Sequence, residues 1–197
     1  MNPVRVIEGR MVPLWRADID TDQIMPKQFL KRVERTGFGE FVFHDWRAEP
    51  DFVLNDERYE GANVLVTGPN FGSGSSREHA PWGLQQYGFE AIVAPSFADI
   101  FRNNCAKIGL LTVTLTTEEC QALVAAAEAD PQTPIRIDLP AQEVVGGGVH
   151  ATFDIDPFTK HMLVEGLDDI ALTLQWADDI AAFEARRPSY MPTTPAR

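Results

Sequence analysis

The sequence predicts an α/β domain in which short buried strands alternate with capped helices. Apolar runs at residues 63–67, 90–95 and 110–115 lie between turn residues, which is typical of buried strands. Helical patterns follow the first two runs and end at Gly88 and Gly109, because glycine readily ends a helix. The 197 residues are enough for one domain with a sizeable core, and no repeat or linker divides them.

The remaining elements are predicted from local patterns. Before the first buried run we predict a strand or hairpin over 4–14, a turn or helix cap over 18–26, a basic helix start over 27–35 and a glycine-hinged loop over 36–41. In the middle of the chain we predict a helix after Ser96, with Asp99 completing its cap, and a helix from Thr117. The last part is predicted to hold strands over 135–139 and 144–155 with a glycine hairpin, a helix from Pro157 and a long helix over 168–187. The proline-rich residues 188–197 are predicted to be a disordered tail behind a domain of residues 1–187.

The stretch at residues 68–80 carries the strongest functional signal. It has the sequence GPNFGSGSSREHA and joins a predicted strand to a predicted helix. A glycine-rich turn at a helix N-terminus exposes backbone N–H groups that bind anions. Arg77 can hold a planar carboxylate through two parallel hydrogen bonds. These residue types predict a site for a carboxylate or a phosphate.

A purely structural interpretation of the same stretch stays open. Ser75-x-x-Glu78 has the form of a capping box, in which the serine only begins the helix. Pro81 then lies too deep for the first turn, so the helix is expected to start later or to kink. A Walker loop is excluded because the stretch has no lysine, and a dinucleotide fingerprint because Arg77 stands where the third glycine belongs.

Composition excludes several functions. The net charge of −12 argues against a general nucleic-acid binder. The N-terminus has no signal-peptide pattern, and no apolar run is long enough to span a bilayer, so we expect a cytoplasmic protein. Cys105 and Cys120 cannot supply the thiolates of an iron–sulfur cluster, and the histidines lack metal-ligand spacing. We expect no metal site in this chain.

Two segments together carry a family resemblance. DTDQIMP at residues 20–26 and the stretch at 68–80 are similar to the swivel domain of the aconitase superfamily. The chain length and the segment SFADIF at residues 96–101 resemble the free-standing small subunits of the 3-isopropylmalate dehydratase family. The resemblance covers nearly everything before the tail. It implies a three-layer β/β/α swivelling domain.

The resemblance also implies an activity. Members of this family interconvert 2-isopropylmalate and 3-isopropylmalate through 2-isopropylmaleate, in leucine biosynthesis. A 4Fe–4S cluster with one open iron is held by cysteines of a separate large subunit. The resemblance therefore implies an alkylmalate substrate, a cluster-bearing partner subunit and no cofactor bound by this chain. Related swivel subunits act on homoaconitate or citraconate, and the sequence alone leaves these substrates open.

Residue roles follow from the same resemblance. Ser75 is expected to remove and return the proton beside a carboxylate, while Ser76 and Arg77 hold the substrate carboxylate. Gly72 and Gly74 are expected to belong to the substrate-binding loop.

Further residues are expected around this loop. Asp22 is expected at the edge of the site, where it orients polar groups. Leu30, Lys31 and Arg32 are expected in the region that sets substrate choice. A stand-alone anion-binding or regulatory module remains the alternative from a different class.

Overall fold

The structure, a computed structural model, describes residues 1–31, 34–188 and 190–191. Its strands are β1 (Val6–Leu14), β2 (Val64–Thr67), β3 (Ala91–Ala94), β4 (Leu111–Thr114), β5 (Pro134–Asp138), β6 (Glu143–Gly146) and β7 (Val149–Thr152). Its α-helices are α1 (Thr21–Ile24), α2 (His79–Tyr87), α3 (Asp99–Ile108), α4 (Thr117–Ala129), α5 (Pro157–Glu165), α6 (Asp169–Leu174) and α7 (Ala177–Ala185). Short 3₁₀ helices lie at Lys27–Lys31, Gly39–Phe41, Trp46–Ala48, Val53–Asn55 and Glu57–Tyr59.

The strands form one sheet in the order β4-β3-β2-β1-β5-β6-β7. The long strand β1 is shared by two halves of this sheet. Its second half, from Met11 to Leu14, pairs in parallel with β2, and its first half, from Val6 to Arg10, pairs antiparallel with β5. The strand-or-hairpin prediction for residues 4–14 therefore resolves to a single strand.

Two apolar cores lie on opposite faces of the parallel half of the sheet. Leu65 and Ile92 face a core shared with α2, α3 and the short helices. Val66 and Val93 face a second core that is built with α4 and the antiparallel strands. Alternate residues of one strand point to opposite faces, so strands that are buried on both faces are apolar throughout. One layer holds helices α2 and α3, the second is the parallel half of the sheet, and the third is its antiparallel half, which packs across the second core. This arrangement confirms the predicted β/β/α class.

The predicted long helix over residues 168–187 is wrong in one respect, because it divides into α6 and α7. The last turn of α6 tightens, since the Trp176 N–H donates to the Thr173 carbonyl at 3.1 Å. The Thr173 hydroxyl also donates to the Asp169 carbonyl, a local bond that favours bending. Large apolar side chains remain exposed on these two helices and at Trp176 between them: Ile170, Leu174, Ile180 and Phe183.

Among the described residues, no helix combines the length and the apolar character needed to cross a membrane. The predicted tail falls mostly on Ser189 and residues 192–197, which lie outside the described residues, and it stays a prediction.

Candidate active site

The loop between β2 and α2, residues 68–78, is named the serine loop. Its backbone takes left-handed conformations at Asn70, Gly72 and Gly74, with φ of 58°, 77° and 91°. A Cβ atom on Gly72 would lie 2.1 Å from Cγ of Phe101, so a side chain cannot be placed there. Glycine adopts such backbone angles without steric cost. The glycines therefore set the path of the loop, as their spacing in the sequence suggested.

Hydrogen bonds join the serine loop to the start of α1. The Gly72 N–H donates to the Ile19 carbonyl at 2.7 Å, and the Thr21 N–H donates to the Ser73 carbonyl at 2.8 Å. The Thr21 hydroxyl donates to the Ser75 carbonyl at 3.1 Å. The two segments that carry the family resemblance therefore lie side by side, although Thr21 and Ser75 are 54 positions apart in the chain.

A second set of bonds involves Asn70, whose role was not predicted. Its side-chain amide donates to the Asp18 carboxylate at 2.7 Å, and its backbone N–H donates to the Ser96 hydroxyl at 2.8 Å. The prediction that Ser96 caps a helix with Asp99 is wrong, because α3 begins at Asp99 after the N-cap residue Ala98. The Ser96 hydroxyl supports the serine loop instead.

The capping-box interpretation of Ser75 is also wrong. Helix α2 begins at His79, and its N-cap residue Glu78 makes no side-chain capping bond. Pro81 is then the third residue of α2. A backbone N–H at this position has no acceptor within the helix, so proline breaks no helical hydrogen bond there. The late helix start leaves the Ser75 hydroxyl outside the helix.

The polar end of the serine loop faces solvent. Ser75 and Ser76 are exposed, and neither hydroxyl has a hydrogen-bond partner among the described residues. Arg77 is mostly buried and donates to the Asp22 carboxylate in an ion pair. A guanidinium has five donors, so the pair with Asp22 fixes the group and leaves donors for a second anion. The structure places Asp22 beside the segment of Ser75, Ser76 and Arg77, and their roles in binding and catalysis stay predictions.

The aspartates before and within α1 have separate roles. Asp20 caps α1, since its carboxylate accepts from the Gln23 N–H at 2.7 Å. Asp18 holds Asn70, and Asp22 holds Arg77. The helix-cap prediction therefore holds for Asp20, whereas the role of Asp22 in orienting groups of the site stays a prediction.

His79 begins α2 directly after the serine loop. Its ring packs against the rings of Phe38 and Trp82, with centroid distances of 5.3 and 4.9 Å. Burial lowers the pKa of His79, and the neighbouring Arg77 charge lowers it further, whereas Glu78 raises it. Its protonated form is therefore disfavoured beside the arginine.

The predicted substrate-choice residues lie beyond α1. Leu30 and Lys31 belong to the short helix Lys27–Lys31, where Leu30 is partly buried and Lys31 is exposed. The ring of Phe29 stacks on Phe41 at 4.1 Å and holds this helix in place. Among the described residues, hydrogen bonds join the serine loop to residues 18–22 but not to Leu30 or Lys31. Arg32 lies outside the described residues.

The cysteines do not fit an iron–sulfur cluster. Cys105 and Cys120 are both fully buried. Burial raises the pKa of Cys105 well above its usual value and that of Cys120 to about 12, so both are thiols at neutral pH. Within the described part of the chain, no group of three or more His, Cys, Asp or Glu side chains could hold a metal ion.

Both serine hydroxyls of the site lie on the surface of the described part of the chain. A cleft of about 820 Å³ lies elsewhere, and the serine loop does not line it. Asp56, Glu57, Glu60 and Glu90 give that cleft an acidic lining, which disfavours a dicarboxylate. The serine loop itself presents two exposed hydroxyls and a guanidinium, which are groups that can hold a carboxylate.

Comparison with known proteins agrees with this geometry. A family model for the aconitase C-terminal domain matches residues 1–118. A model for the C-terminal domain of 3-isopropylmalate dehydratase small subunits matches residues 169–197, and the LeuD_N model matches residues 121–157. The 3-isopropylmalate dehydratase small subunit of Rubrobacter xylanophilus is 55% identical over 192 residues, which cover 98% of each chain. This chain belongs to the family of 3-isopropylmalate dehydratase small subunits.

Two further relatives extend the comparison within this family. The small subunit from a Parafrankia species is 56% identical over 194 residues, covering 98% of this chain and all of that one. The crystal structure of the 3-isopropylmalate dehydratase LeuD from Methanocaldococcus jannaschii is 25% identical with a TM-score of 0.66. It covers 90% of this chain and 99% of that protein. The swivel-domain fold is thus shared with a solved member of the family.

Proposed function

We propose that this chain, together with a large subunit, interconverts 2-isopropylmalate and 3-isopropylmalate through 2-isopropylmaleate in leucine biosynthesis. The observation that carries the proposal is the arrangement of Ser75 and Ser76. Both hydroxyls are exposed and without partners among the described residues, beside an arginine that Asp22 holds in place. Neither hydroxyl is used to hold the loop, because the loop backbone is held through Ile19 and Thr21 instead.

Each residue of the serine loop has a proposed task. Arg77 binds a substrate carboxylate through two N–H groups, and the Ser76 hydroxyl donates to the same carboxylate. Gly72 and Gly74 give the loop the left-handed backbone that presents these side chains. Ser75 takes the proton from the carbon beside the carboxylate and later returns it to the neighbouring carbon. The Arg77 charge favours the serine alkoxide that this step requires.

The hydroxyl that leaves the substrate needs a Lewis acid. We propose that a 4Fe–4S cluster on the large subunit supplies it, since the buried thiols of this chain do not fit a cluster. Two observations support a partner subunit. Ser75 and Ser76 are exposed, so a second protein can reach them, and Ile170, Leu174 and Phe183 expose apolar surface of a kind that often contacts another protein.

Leu30, Lys31 and Arg32 are proposed to contribute to the choice among alkylmalates, since their segment continues from the helix that carries Asp22. We also propose that residues 1–187 form one domain and that the protein works in the cytoplasm. Two free, buried cysteines suit a reducing compartment.

The test is an activity assay with the reconstituted large subunit. The chain and its partner should be assayed separately and together with 2-isopropylmalate, 2-methylmalate and homoaconitate. We expect turnover only in the mixture, with 2-isopropylmalate preferred. Turnover by this chain alone, or a stoichiometric iron–sulfur absorbance in the purified chain, would contradict the proposal. Preference for another of these acids would reassign the substrate within the family.

A further inference from the structure

We propose that an exposed apolar face of α7 is the surface through which this chain binds the large subunit. The face consists of Trp176, Ile180 and Phe183 and is named the α7 face. The inference rests on the proposed function, because that function requires the large subunit as a partner. It adds where this partner binds and which chemistry its surface must have.

The three side chains of the α7 face lie on one side of the helix. They follow each other at intervals of four and three residues, the spacing that brings side chains together on a helix. Trp176, Ile180 and Phe183 are 64%, 38% and 50% exposed. Single exposed apolar residues are common on protein surfaces, whereas a continuous apolar face usually marks a contact with another molecule.

Packing within the described chain does not account for this face. Helix α6 has six residues and α7 has nine, and none of them is buried. Among the described residues, neither apolar core includes a side chain from beyond α5. An isolated helix shorter than about 12–15 residues is only marginally stable in water, and helices in proteins are stabilised mainly by a packed apolar face. We therefore infer that a second molecule packs on α7.

Acidic side chains border the α7 face on both sides. Asp179 precedes Phe183 by four residues and Glu184 follows Ile180 by four, so each carboxylate neighbours one apolar side chain. Residues 168–185 contain five acidic residues and no Lys, Arg or His. The complementary surface is therefore an apolar groove whose rim carries lysines or arginines.

The large subunit fits this description better than a second copy of this chain. Two copies would bring the same carboxylates and a net charge of −12 on each chain together, and Arg186 and Arg187 lie only at the end of the acidic segment. Helices α6 and α7 also fall within the match to the small-subunit model, beyond the residues that the aconitase model matches. A free-standing subunit must hold its partner through surface contacts alone, which favours the large subunit as the occupant.

The test uses the double variant Ile180→Gln with Phe183→Gln, which keeps good helix formers on α7 and removes most of its apolar face. Calorimetric titration measures the binding of the large subunit to the full chain. Each of these side chains, once buried by a partner, contributes roughly ten-fold or more to affinity, so the Kd should rise by at least about thirty-fold.

Two further readouts separate binding from folding and chemistry. The melting temperature of the isolated double variant should not change, because both side chains are already exposed. With saturating large subunit, the kcat for 2-isopropylmalate should stay near that of the unsubstituted complex, because α7 carries none of the proposed catalytic residues.

Phe158→Gln is the matched control. Phe158 is exposed on α5, so the same kind of change is made outside the α7 face. The Kd of this variant should equal that of the unsubstituted chain. A second variant, Asp179→Asn with Glu184→Gln, removes the bordering charges. Its Kd should rise at low salt, and the difference should shrink as added salt screens the charges.

Hydrogen–deuterium exchange locates the contact independently. A peptide covering residues 176–187 should exchange quickly in the isolated chain, because no residue of α7 is buried there. The same peptide should exchange more slowly in the complex with the large subunit.

Equal affinity of the double variant and the unsubstituted chain, or an equal loss in Phe158→Gln, would overturn the inference and leave the proposed function intact. A dimer of the isolated chain in sedimentation, abolished by the double variant, would assign the α7 face to a second copy and also overturn it. A large subunit that neither binds nor activates the unsubstituted chain would refute the proposed function, and this inference with it.

Discussion

Two glycine-rich turns of this chain resemble each other in sequence and differ in their surroundings. The serine loop, with Gly72 and Gly74, joins a strand to a helix, whereas residues 146–148 join β6 to β7. In the hairpin, Gly147 and Gly148 have φ of 54° and 80°, as a two-residue turn of type I′ requires. Glycine therefore permits left-handed backbone in both turns, and glycine content does not distinguish them.

The difference lies in how each turn is held. The strand ladder on either side holds the hairpin, and no side chain is needed. The serine loop is held by bonds to a distant segment, through Thr21 and Asp18. These bonds hold the loop without using the hydroxyls of Ser75 and Ser76, which are exposed. A functional loop is thus better recognised by polar groups that the fold does not use than by its glycines.

Ser75→Ala should have the largest effect, and it tests whether the serine loop performs chemistry. Turnover with the large subunit should fall by about two to four orders of magnitude, the usual contribution of a general base. The melting temperature should hardly change, because the hydroxyl has no partner among the described residues. Turnover and melting are measured on the same preparation. A loss of stability with near-normal turnover would support a structural role instead.

Ser76→Ala is the control for that experiment. As a substrate-binding hydroxyl, Ser76 should affect KM more than kcat. If Ser76→Ala abolished turnover while Ser75→Ala spared it, the roles of the two serines would be reversed.

Arg77→Lys keeps the charge and removes the two-pronged contact with the carboxylate. We expect KM to rise by about ten- to a hundred-fold, as for the loss of a hydrogen bond to a charged group. Steady-state kinetics with 2-isopropylmalate measures the change. An unchanged KM would mean that Arg77 only pairs with Asp22 and does not bind the substrate. The serine loop would then have a structural role only, like the hairpin.

Matched glycine substitutions compare the two turns directly. Gly72→Ala combines left-handed backbone with a clash against Phe101, so it should cost about 2–5 kcal/mol of unfolding free energy. Gly148→Ala has the same backbone strain but no atom within 4 Å, so it should cost only about 1–2 kcal/mol. Denaturant unfolding measures both. Equal costs would mean that the serine loop is not held against α3.

The smallest expected effect is the pH dependence due to His79. Burial lowers the pKa of His79 in the folded state below its usual value of 6.5, so the unfolded chain binds the proton more readily. Stability should therefore fall as pH decreases through and below about 6.5, and it should be regained as pH rises. His79→Phe keeps an aromatic ring against Phe38 and removes the titration, so the decline should become shallower. An identical pH profile for the variant would contradict this assignment.

Much of the fold follows from local patterns, because the parallel strands are buried on both faces and therefore read as apolar runs. Helices α2 and α3 also end at Gly88 and Gly109, as the sequence predicted. What local patterns missed are long-range bonds. Asn70 pairs with Asp18 fifty-two residues away. Ser96 was misassigned as a helix cap because its hydroxyl accepts from the backbone N–H of Asn70, twenty-six residues away.

The residue types of the candidate site were predictable from composition and family resemblance, and their spatial arrangement was not. Nothing in local sequence indicates that Thr21 bonds to the Ser75 carbonyl or that Gln86 holds residues 35–38. Such side-chain bonds to distant backbone depend on the assembled sheet. Their residue types, Asn, Gln, Ser and Thr, are also common in turns, where local capping bonds compete for the same groups.

The central claim is that the serine loop forms half of a carboxylate site, which a partner completes. Calorimetric titration of 2-isopropylmalate into the chain, into the large subunit and into their mixture tests it most directly. We predict specific binding in the mixture and weak or no binding to this chain alone. Stoichiometric binding to the isolated chain, unchanged by the partner, would contradict the claim and favour a stand-alone carboxylate-binding module.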